Sequence, residues 1–259
     1  MPPTLPPTLT ISAVPGIPAI EPGDELAAIL SDALAAAALA PRDSDVLVVS
    51  HKIVSKAEGR YVDLATVTPS PPALELAEAT GKDARLVQVI LSESSAVLRH
   101  RPGLIIVEHR RGFVMANAGI DQSNVSGGTP GERVLRLPEN PDASAAALRA
   151  ALQARFGVRL AVIVCDSVGR AWRNGVVGLA IGAAGLPSLL DLRGERDREG
   201  RELKVTTVGF ADQIASAAEL LMGEGAEGRP AVLVRGLSWS QPDAPVTALL
   251  RGPQEDLFR

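Results

Sequence analysis

The sequence predicts an α+β protein in which mixed sheets pack against helices, and three observations support that class. Short apolar runs bounded by turn residues, such as DVLVVS at 45–50 and PAVLVRG at 230–236, are typical of buried strands. A longer segment rich in alanine and leucine, at 142–157, predicts a helix. Strand and helix segments do not alternate regularly, which argues against a purely parallel βαβ sheet.

Five segments have the composition and the boundary signals of helices. The predicted helices are 24–39, 72–79, 84–92, 142–157 and 211–222. Asp24 and Asp142 are expected to cap the first and fourth helices, because an aspartate can accept hydrogen bonds from the first backbone N–H groups. Gly157 is expected to end the fourth helix.

The strands are predicted from apolar runs of four to eight residues. They are 45–50, 104–109, 112–119, 159–167, 204–210 and 230–236. The second and third are expected to form a hairpin around Arg110, Arg111 and Gly112. The glycine- and alanine-rich segment 175–185 suits close packing of backbone, while 51–60 and 124–133 are interpreted as loops.

No linker divides the chain, so residues 12–259 are predicted to form a single unit that follows a flexible segment, 1–11. With 3% aromatic residues and a net charge of -4, the chain is a poor candidate for binding nucleic acid. A single cysteine excludes an intramolecular disulfide and a cysteine-based zinc cluster, and it fits a reducing compartment. The sequence has neither a signal peptide nor an apolar stretch of about 20 residues. We therefore expect a cytoplasmic protein without a membrane partner.

Four polar clusters are candidates for chemistry, and the first follows the strand 45–50. It contains Ser50, His51 and Lys52, then Ser55 and Lys56, and it continues to position 60. Two lysines four residues apart, with hydroxyl groups between them, are suited to bind phosphate oxygens. A solvated loop is the alternative, and composition alone favours it.

The second cluster is Asn117-Ala118-Gly119-Ile120-Asp121-Gln122-Ser123-Asn124. Asp121 offers a carboxylate oxygen to Mg²⁺, and Asn124 offers an amide donor and acceptor. The alternative is an Asx-type turn, which these residue types favour when the segment is taken alone.

The third cluster, at 165–173, follows an apolar strand. Asp166 and Ser167 at the strand's carboxyl end are suited to bind a metal, and Arg170 and Arg173 to pair with an anion. The equally weighted alternative is a surface loop in which Trp172 packs on the core. Cys165 is interpreted as a small buried hydrophobic residue rather than a nucleophile.

The fourth cluster, at 222–229, has three glycines that allow a close approach of backbone N–H groups to a ligand, although a flexible connection is the simpler interpretation. The chain has no GxxxxGK[ST] motif, no GxSxG motif, and no histidine pair at zinc-ligand spacing. Taken together, the residues indicate metal-assisted phosphate chemistry, and by themselves they do not identify a substrate.

Taken in order, these segments resemble the coenzyme F-420:L-glutamate ligase family. The matching segments are IPAIEPGDEL, DVLVVSHKIVSKAEGR, GFVMANAGIDQSNV, CDSVGRAWRNG, AIGAAGL, DLRGERDREGRELKVT, ADQIASAAELLMGE and PAVLVRGL, with DLFR at the end. They extend from about residue 17 to 237. Their number and order make chance similarity improbable.

The resemblance implies a two-domain protomer with intertwined subdomains, a homodimer, and a requirement for GTP, two Mg²⁺ or Mn²⁺ ions and K⁺. It assigns Asp121 and Asp166 to one divalent ion, and Ser167 and Glu224 to the other. The implied nucleotide contacts are Ile17, Pro18, Ala19, Ile20, His51, Lys56, Asn124, Met222, Gly223, Glu224, Gly225, Ala226, Glu227, Gly228 and Arg229.

The implied reaction joins L-glutamate to the terminal carboxylate of a coenzyme F-420 precursor through an acyl phosphate. Asp121 and Asp166 would act there as metal ligands, and Lys56, with Arg170 or Arg173, would neutralise phosphate charge. The chain departs from the family pattern at Ala19, at Val168 and at 176–178. These departures keep open an amide ligase with another carboxylate acceptor. A nucleotide-binding regulator without turnover is the third hypothesis, and the retained metal ligands argue against it.

Overall fold

A computed structural model describes residues 7–122, 132–252 and 254–257. The strands are β1 (Thr10–Ala13), β2 (Val46–Ser50), β3 (Tyr61–Asp63), β4 (Ser94–Arg101), β5 (Leu104–His109), β6 (Val114–Ala116), β7 (Arg133–Leu135), β8 (Ala161–Arg170), β9 (Arg173–Ala184), β10 (Leu189–Asp191), β11 (Thr207–Gly209) and β12 (Ala231–Arg235). The α-helices are α1 (Leu26–Ala36), α2 (His51–Ala57), α3 (Pro71–Thr80), α4 (Ala84–Ser92), α5 (Pro141–Phe156) and α6 (Phe210–Met222).

The central sheet has five strands in the order β1-β12-β2-β8-β9. Only the β2–β8 pair is parallel, and the other three pairs are antiparallel. Helices cover both faces of this sheet: α1 and α5 contribute to the apolar core on one face, and α6 to the core on the other. Because both faces are buried, β2 and β8 are nearly continuous apolar runs.

A second region, between α2 and α5 in sequence, has its own apolar cluster. It consists of the three-stranded sheet β4-β5-β6, the β3–β7 pair, and the helices α3 and α4. Leu64, Val87, Ile90, Ile105 and Val107 are completely buried there. This region meets the central sheet near β6, β7 and α2, and those contacts bring polar segments of both regions together.

The predicted α+β class is confirmed, as are the five predicted helices and the hairpin of β5 and β6. Of the predicted helix ends, Gly157 is confirmed, since it caps α5 in a left-handed conformation with φ 69°. Both predicted aspartate caps are wrong. Asn140 caps α5, while Asp142 accepts a hydrogen bond from the N–H of Ala183, and α1 begins after Glu25 without a side-chain cap.

Three predictions of local structure also need correction. Residues 51–57 form α2 instead of a loop, because Ser50 accepts a hydrogen bond from the N–H of Lys52 and because Ile53 and Val54 are buried. The strand predicted to end at position 167 continues to Arg170 and pairs with β9, which contains most of segment 175–185. At the N-terminus, Thr10 and Ile11 lie in β1, inside the segment predicted to be flexible. Within the described ranges, no helix is long and apolar enough to cross a membrane.

Candidate active site

The candidate site lies where the two parallel strands of the central sheet end. Ser50 of β2 pairs in register with Cys165 of β8, so the residues that follow them reach the same edge of the sheet. Ligands of open α/β sheets bind in the crevice beyond the carboxyl ends of parallel strands. Here two adjoining cavities of about 430 and 260 Å³ occupy that position. We call the pair the acidic cleft.

Most of the residues predicted to form a site line this cleft. The lining residues among them are Ile17, Pro18, Ala19, Lys56, Met222, Gly223, Gly225, Gly228 and Arg229 in the larger cavity, His51 and Asp121 in the smaller one, and Asp166, Ser167 and Glu224 in both. Segments far apart in the sequence therefore converge as expected. The segment 223–230 follows α6 and forms one wall of the larger cavity.

The structure places four predicted residues elsewhere. Ile20 is 1% exposed and belongs to the apolar core, so only its neighbours face the cavity. Glu227 accepts a hydrogen bond from the N–H of Gly225 and so braces the 223–230 segment, and Ala226 lies beside it. Arg170 lies at the exposed β8–β9 turn and donates to the carbonyl of Gly175. Asn124 falls outside the described residues.

The position of Arg170 follows from the length of β8. Asp166 lies in the middle of the strand and not at its end, and Arg170 is four residues further on. At a rise of about 3.3 Å per residue, the two Cα atoms are separated by about 13 Å. Trp172, which the alternative interpretation packed against the core, is 87% exposed at the same turn. The hairpin tip therefore projects from the protein instead of lining the cleft.

Lys52, one of the two lysines predicted to suit phosphate oxygens, neutralises part of the cleft. The ammonium Nζ of Lys52 lies 2.8 Å from Oδ2 of Asp121. Burial opposes the charge on Lys52, but the hydrogen bond to Asp121 and the negative charges of Asp121, Asp166 and Glu224 outweigh it and raise the lysine pKa. Lys52 thus joins an acidic group from the second region to the central sheet.

Glu219, on the last turns of α6, is a residue that sequence reasoning missed. Burial is the main cause that raises the pKa of Glu219 to about 7, and repulsion from Glu224 and Asp166 adds to it. The hydroxyl of Ser167 donates a hydrogen bond to the Glu219 carboxylate and acts in the opposite direction. The cleft therefore holds more negative charge than its own lysines compensate.

His51 supports one of these carboxylates. The ring is 1% exposed, with Nε2 3.2 Å from Oδ1 of Asp166 and Nδ1 3.5 Å from Oγ of Ser55. The Nε2 atom is close to Asp166 but is not aligned with it as a hydrogen bond. Asp166 also accepts a hydrogen bond from the N–H of Ser167, at 2.8 Å. Packing against the imidazole restricts the orientations that the Asp166 carboxylate can take.

The donor atoms of the cleft suit a hard divalent cation. Asp121, Asp166, Glu219 and Glu224 offer carboxylate oxygens and Ser167 offers a hydroxyl, and oxygen ligands are those that Mg²⁺ prefers. Among the described residues, no group of three or more His, Cys, Asp or Glu side chains already surrounds one metal position. An ion held by one or two protein oxygens takes its remaining ligands from water or from phosphate.

The departure at 176–178 gives the smaller cavity an apolar edge. Val176 and Val168 both line that cavity. Gly178 pairs with Ser167 and lies close to α6, where a Cβ atom would come within 2.7 Å of the carbonyl oxygen of Ala215. The packing of β9 against α6 therefore requires glycine at this position.

An acidic, lysine-lined cleft at the end of two parallel strands defines an α+β protein equipped to hold an anionic ligand together with cations. The family model of F420-0:gamma-glutamyl ligase matches residues 16–236. The chain belongs to that family.

Several relatives agree with this assignment over nearly their whole length. The chain is 47% identical over 257 residues to the coenzyme F420:L-glutamate ligase of Methanopyrus kandleri, covering 98% of each chain. The enzyme of the same name from Methanothermobacter thermautotrophicus is 45% identical over 255 residues, with 97% of this chain and 99% of the relative covered. That from Archaeoglobus fulgidus is 43% identical over 246 residues, with 95% and 94% covered.

Proposed function

We propose that this protein is a ligase of coenzyme F420 biosynthesis that uses GTP to join L-glutamate to the terminal carboxylate of the F420 precursor. The observation that carries the proposal is the 47% identity to a coenzyme F420:L-glutamate ligase over 98% of both chains. It is supported by the convergence of the predicted site residues on one cleft. Amide formation from a carboxylate needs activation, because a carboxylate is a poor electrophile.

The larger cavity is the proposed nucleotide site. Lys56 lines it and supplies a positive charge for the phosphates, and Lys52 lies at its border with the smaller cavity. The glycines at 223, 225 and 228 leave room for the triphosphate to approach backbone N–H groups. Residues 17–19 form another wall of the same cavity and complete the nucleotide site.

Two divalent ions, Mg²⁺ or Mn²⁺, fit the donor set. Asp121 and Asp166 would hold one, and Ser167 and Glu224 the other, while Glu219 stands next to Ser167 as a further oxygen donor. When bound, such ions shield the repulsion between the anionic substrates and stabilise charge on the transferring phosphoryl group. The excess negative charge among Asp166, Glu219 and Glu224 is the feature of this chain that favours cations.

The smaller cavity is the proposed entry of the acceptor carboxylate. One carboxylate oxygen attacks the γ-phosphorus of GTP, the bond to the β-phosphate oxygen breaks, and GDP leaves. The amine of L-glutamate then attacks the acyl carbon, phosphate departs with the bonding electrons, and the amine loses a proton. Lys52 lies between the two cavities and would orient the reacting carboxylate and the phosphate. A homodimer and a K⁺ ion complete the proposal. Arg170 would neutralise phosphate charge only if the β8–β9 turn moved toward the cleft.

The decisive test is to incubate the protein with GTP, Mg²⁺ or Mn²⁺, L-glutamate and the glutamate-free F420 precursor, and to weigh the product by mass spectrometry. We expect the precursor to gain one or more glutamyl groups and GDP to appear. An unchanged precursor mass, in a reaction where a characterised relative is active, would refute the proposal.

A related amide ligase with another acceptor is the second candidate, and the departures at Val168 and Val176 favour it, because both residues make the edge of the smaller cavity apolar. The same mass measurement with a panel of carboxylates in place of the F420 precursor separates the two. Release of phosphate that depends on another carboxylate, without reaction of the F420 precursor, would select this second candidate.

A further inference from the structure

A second charged cavity lies outside the acidic cleft, and we propose that it binds an oxyanion, the phosphate or carboxylate group of a small molecule. It encloses about 360 Å³ and is lined by Arg60, Glu93, His109, Arg110, Arg111, Arg136, Pro138 and Glu139. We call it the arginine pocket. It shares no lining residue with either cavity of the acidic cleft, and the inference does not rest on the proposed ligase activity.

One buried carboxylate organises the arginines. Glu93 caps α4 and is 3% exposed. Its Oε1 accepts hydrogen bonds from Nη2 of Arg110 at 3.0 Å and from Nη1 of Arg136 at 3.1 Å, while Nη2 of Arg60 lies 3.6 Å from Oε2. A single anion therefore gathers three guanidinium groups that come from three different segments of the chain.

The charge of the pocket is not balanced by its own carboxylates. Four guanidinium groups face the two carboxylates of Glu93 and Glu139, which leaves the lining with a net charge of about +2. Glu58 lies outside the lining, where it accepts hydrogen bonds from the N–H of Glu139 and the hydroxyl of Ser144. Its charge also acts on Arg60, and it reduces the positive excess without cancelling it. Burial and the neighbouring charge of Arg136 lower the pKa of Arg60, as expected where like charges are crowded together.

The histidine in the lining does not relieve this imbalance. Nδ1 of His109 accepts a hydrogen bond from the N–H of Arg111 at 3.0 Å, so the proton of the neutral ring is on Nε2. His109 therefore contributes a donor and no acceptor to the pocket. A second donor of the pocket is Nε of Arg136. Within the part of the chain that the structure describes, this atom is buried without a hydrogen-bond partner.

Backbone carbonyls fix two of the guanidinium planes. Nε of Arg60 donates to the carbonyl of Leu137 at 3.0 Å, and Nη2 of Arg111 donates to the carbonyl of Glu139. Both anchors leave other N–H groups of the same side chains available to a ligand. A held guanidinium presents a planar fork of donors that matches a carboxylate or phosphate, and less side-chain entropy is lost on binding. Positive charge and preset donors together select an oxyanion rather than a neutral ligand.

The arginine pocket is close to the acidic cleft although the two are distinct. Arg136 directly follows Leu135, and the backbone of Leu135 pairs with that of Asp121 in the cleft. The Cα atoms of Leu135 and Arg136 are about 3.8 Å apart. Arg136 is therefore connected to Asp121 of the cleft through one intervening residue, Leu135.

Calorimetric titration of the nucleotide-free protein tests this assignment. Inorganic phosphate and glutarate are titrated separately into the wild type, into the double variant Arg110→Gln/Arg111→Gln, and into Lys56→Ala. Both replaced arginines are exposed, and Glu93 keeps Arg60 and Arg136 as partners, so the fold should be retained, and circular dichroism checks it. The matched control is Arg99→Gln/Arg101→Gln, which removes two exposed arginines from β4.

We expect the wild type to bind at least one of the two probes, and the Arg110/Arg111 variant to bind it roughly tenfold more weakly or worse, because hydrogen bonds to charged groups are lost. The β4 control should retain this binding. Lys56→Ala, which removes a charge from the proposed nucleotide site, should retain the part of it that the Arg110/Arg111 variant loses. Binding of phosphate alone identifies a phosphate group as the ligand, and binding of glutarate alone a carboxylate. The inference is overturned if the wild type binds neither probe, or if the Arg110/Arg111 variant binds as tightly as the wild type. Should the double variant fail to fold, the single change Arg110→Gln replaces it.

Discussion

The acidic cleft and the arginine pocket place similar carboxylates in opposite electrical surroundings. In the cleft, burial and the carboxylates around Glu219 raise its pKa to about 7. In the pocket, burial acts on Glu93 in the same direction, but the contact with His109 and the charges of Arg136, Arg110 and Arg60 prevail and lower its pKa to about 2. Burial pushes both groups toward the neutral form, so the sign of the neighbouring charges decides the outcome.

The arginine pocket and the acidic cleft therefore use charge in different ways. Glu93 has the partners it needs within the protein, and its pocket has positive charge to spare. The carboxylates of the cleft lack enough partners, and only an added cation or a proton relieves their repulsion. We therefore expect changes in the pocket to affect the stability of the protein most, and changes in the cleft to affect ligand binding and its pH dependence.

The largest effect is expected for Glu93→Gln. It removes the charge that holds three arginines together, and loss of one partner of a buried ion pair costs about 3–5 kcal/mol. Chemical denaturation at pH 7 measures the free energy of unfolding. The exposed Glu75→Gln on α3 is the control, with an expected change of at most about 0.5 kcal/mol. Equal stability of the two variants would show that Glu93 does not organise the arginines.

The same carboxylate makes stability fall in acid. The folded pKa of Glu93 is about 2, below the usual 4.5, so its contribution is present above pH 4.5 and is lost as the pH falls toward 2. Denaturation curves between pH 5 and pH 2.5 should therefore converge for the wild type and Glu93→Gln. Curves that stay parallel over this range would contradict the low pKa.

The second effect concerns the cleft. Asp166→Asn removes a charge but keeps the shape, and we expect it to lower ligase turnover by about 10²–10³-fold, the size seen when one electrostatic contact to a transition state is lost. Stability should change little, because repulsion from Glu219 and Glu224 decreases at the same time. The exposed Asp32→Asn on α1 is the matched control. Full turnover in Asp166→Asn would exclude a role for this carboxylate in the reaction.

The elements of the fold were predictable where local signals are strong. The helix α5 was found because its alanine-rich body ends at Gly157, and β2 and β12 because their apolar runs are bounded by turn residues. The helix α2 was missed because it has only seven residues and its polar side chains face the cleft. Helices this short are stabilised by tertiary contacts rather than by propensity.

The cleft was predictable in part. Asp166 and Lys56 stand out because polar residues there follow apolar strands. Lys52 stands out in the same way, although its contact with Asp121 was not predictable. Glu219 does not stand out, because its role comes from pairing with Ser167, which is far away in sequence. The arginine pocket was missed entirely, because its residues come from four separate segments that only the folded chain brings together.

The smallest effect is expected for Glu219→Gln in the metal-free protein. A folded pKa of about 7, above the usual 4.5, means that the stabilising contribution is complete below pH 4.5 and is lost as the pH rises toward 7. Glu219 is partly exposed, so after solvent screening we expect the wild type to lose about 1 kcal/mol between pH 5 and pH 8. Glu219→Gln should not show this loss, whereas Glu75→Gln should behave as the wild type. Denaturation in EDTA measures the free energy of unfolding at each pH. Addition of Mg²⁺ then tests whether Glu219 attracts the ion. If cations relieve the repulsion in the cleft, Mg²⁺ at pH 8 should stabilise the wild type more than Glu219→Gln. An equal response of both proteins would show that Glu219 plays no part in attracting the ion.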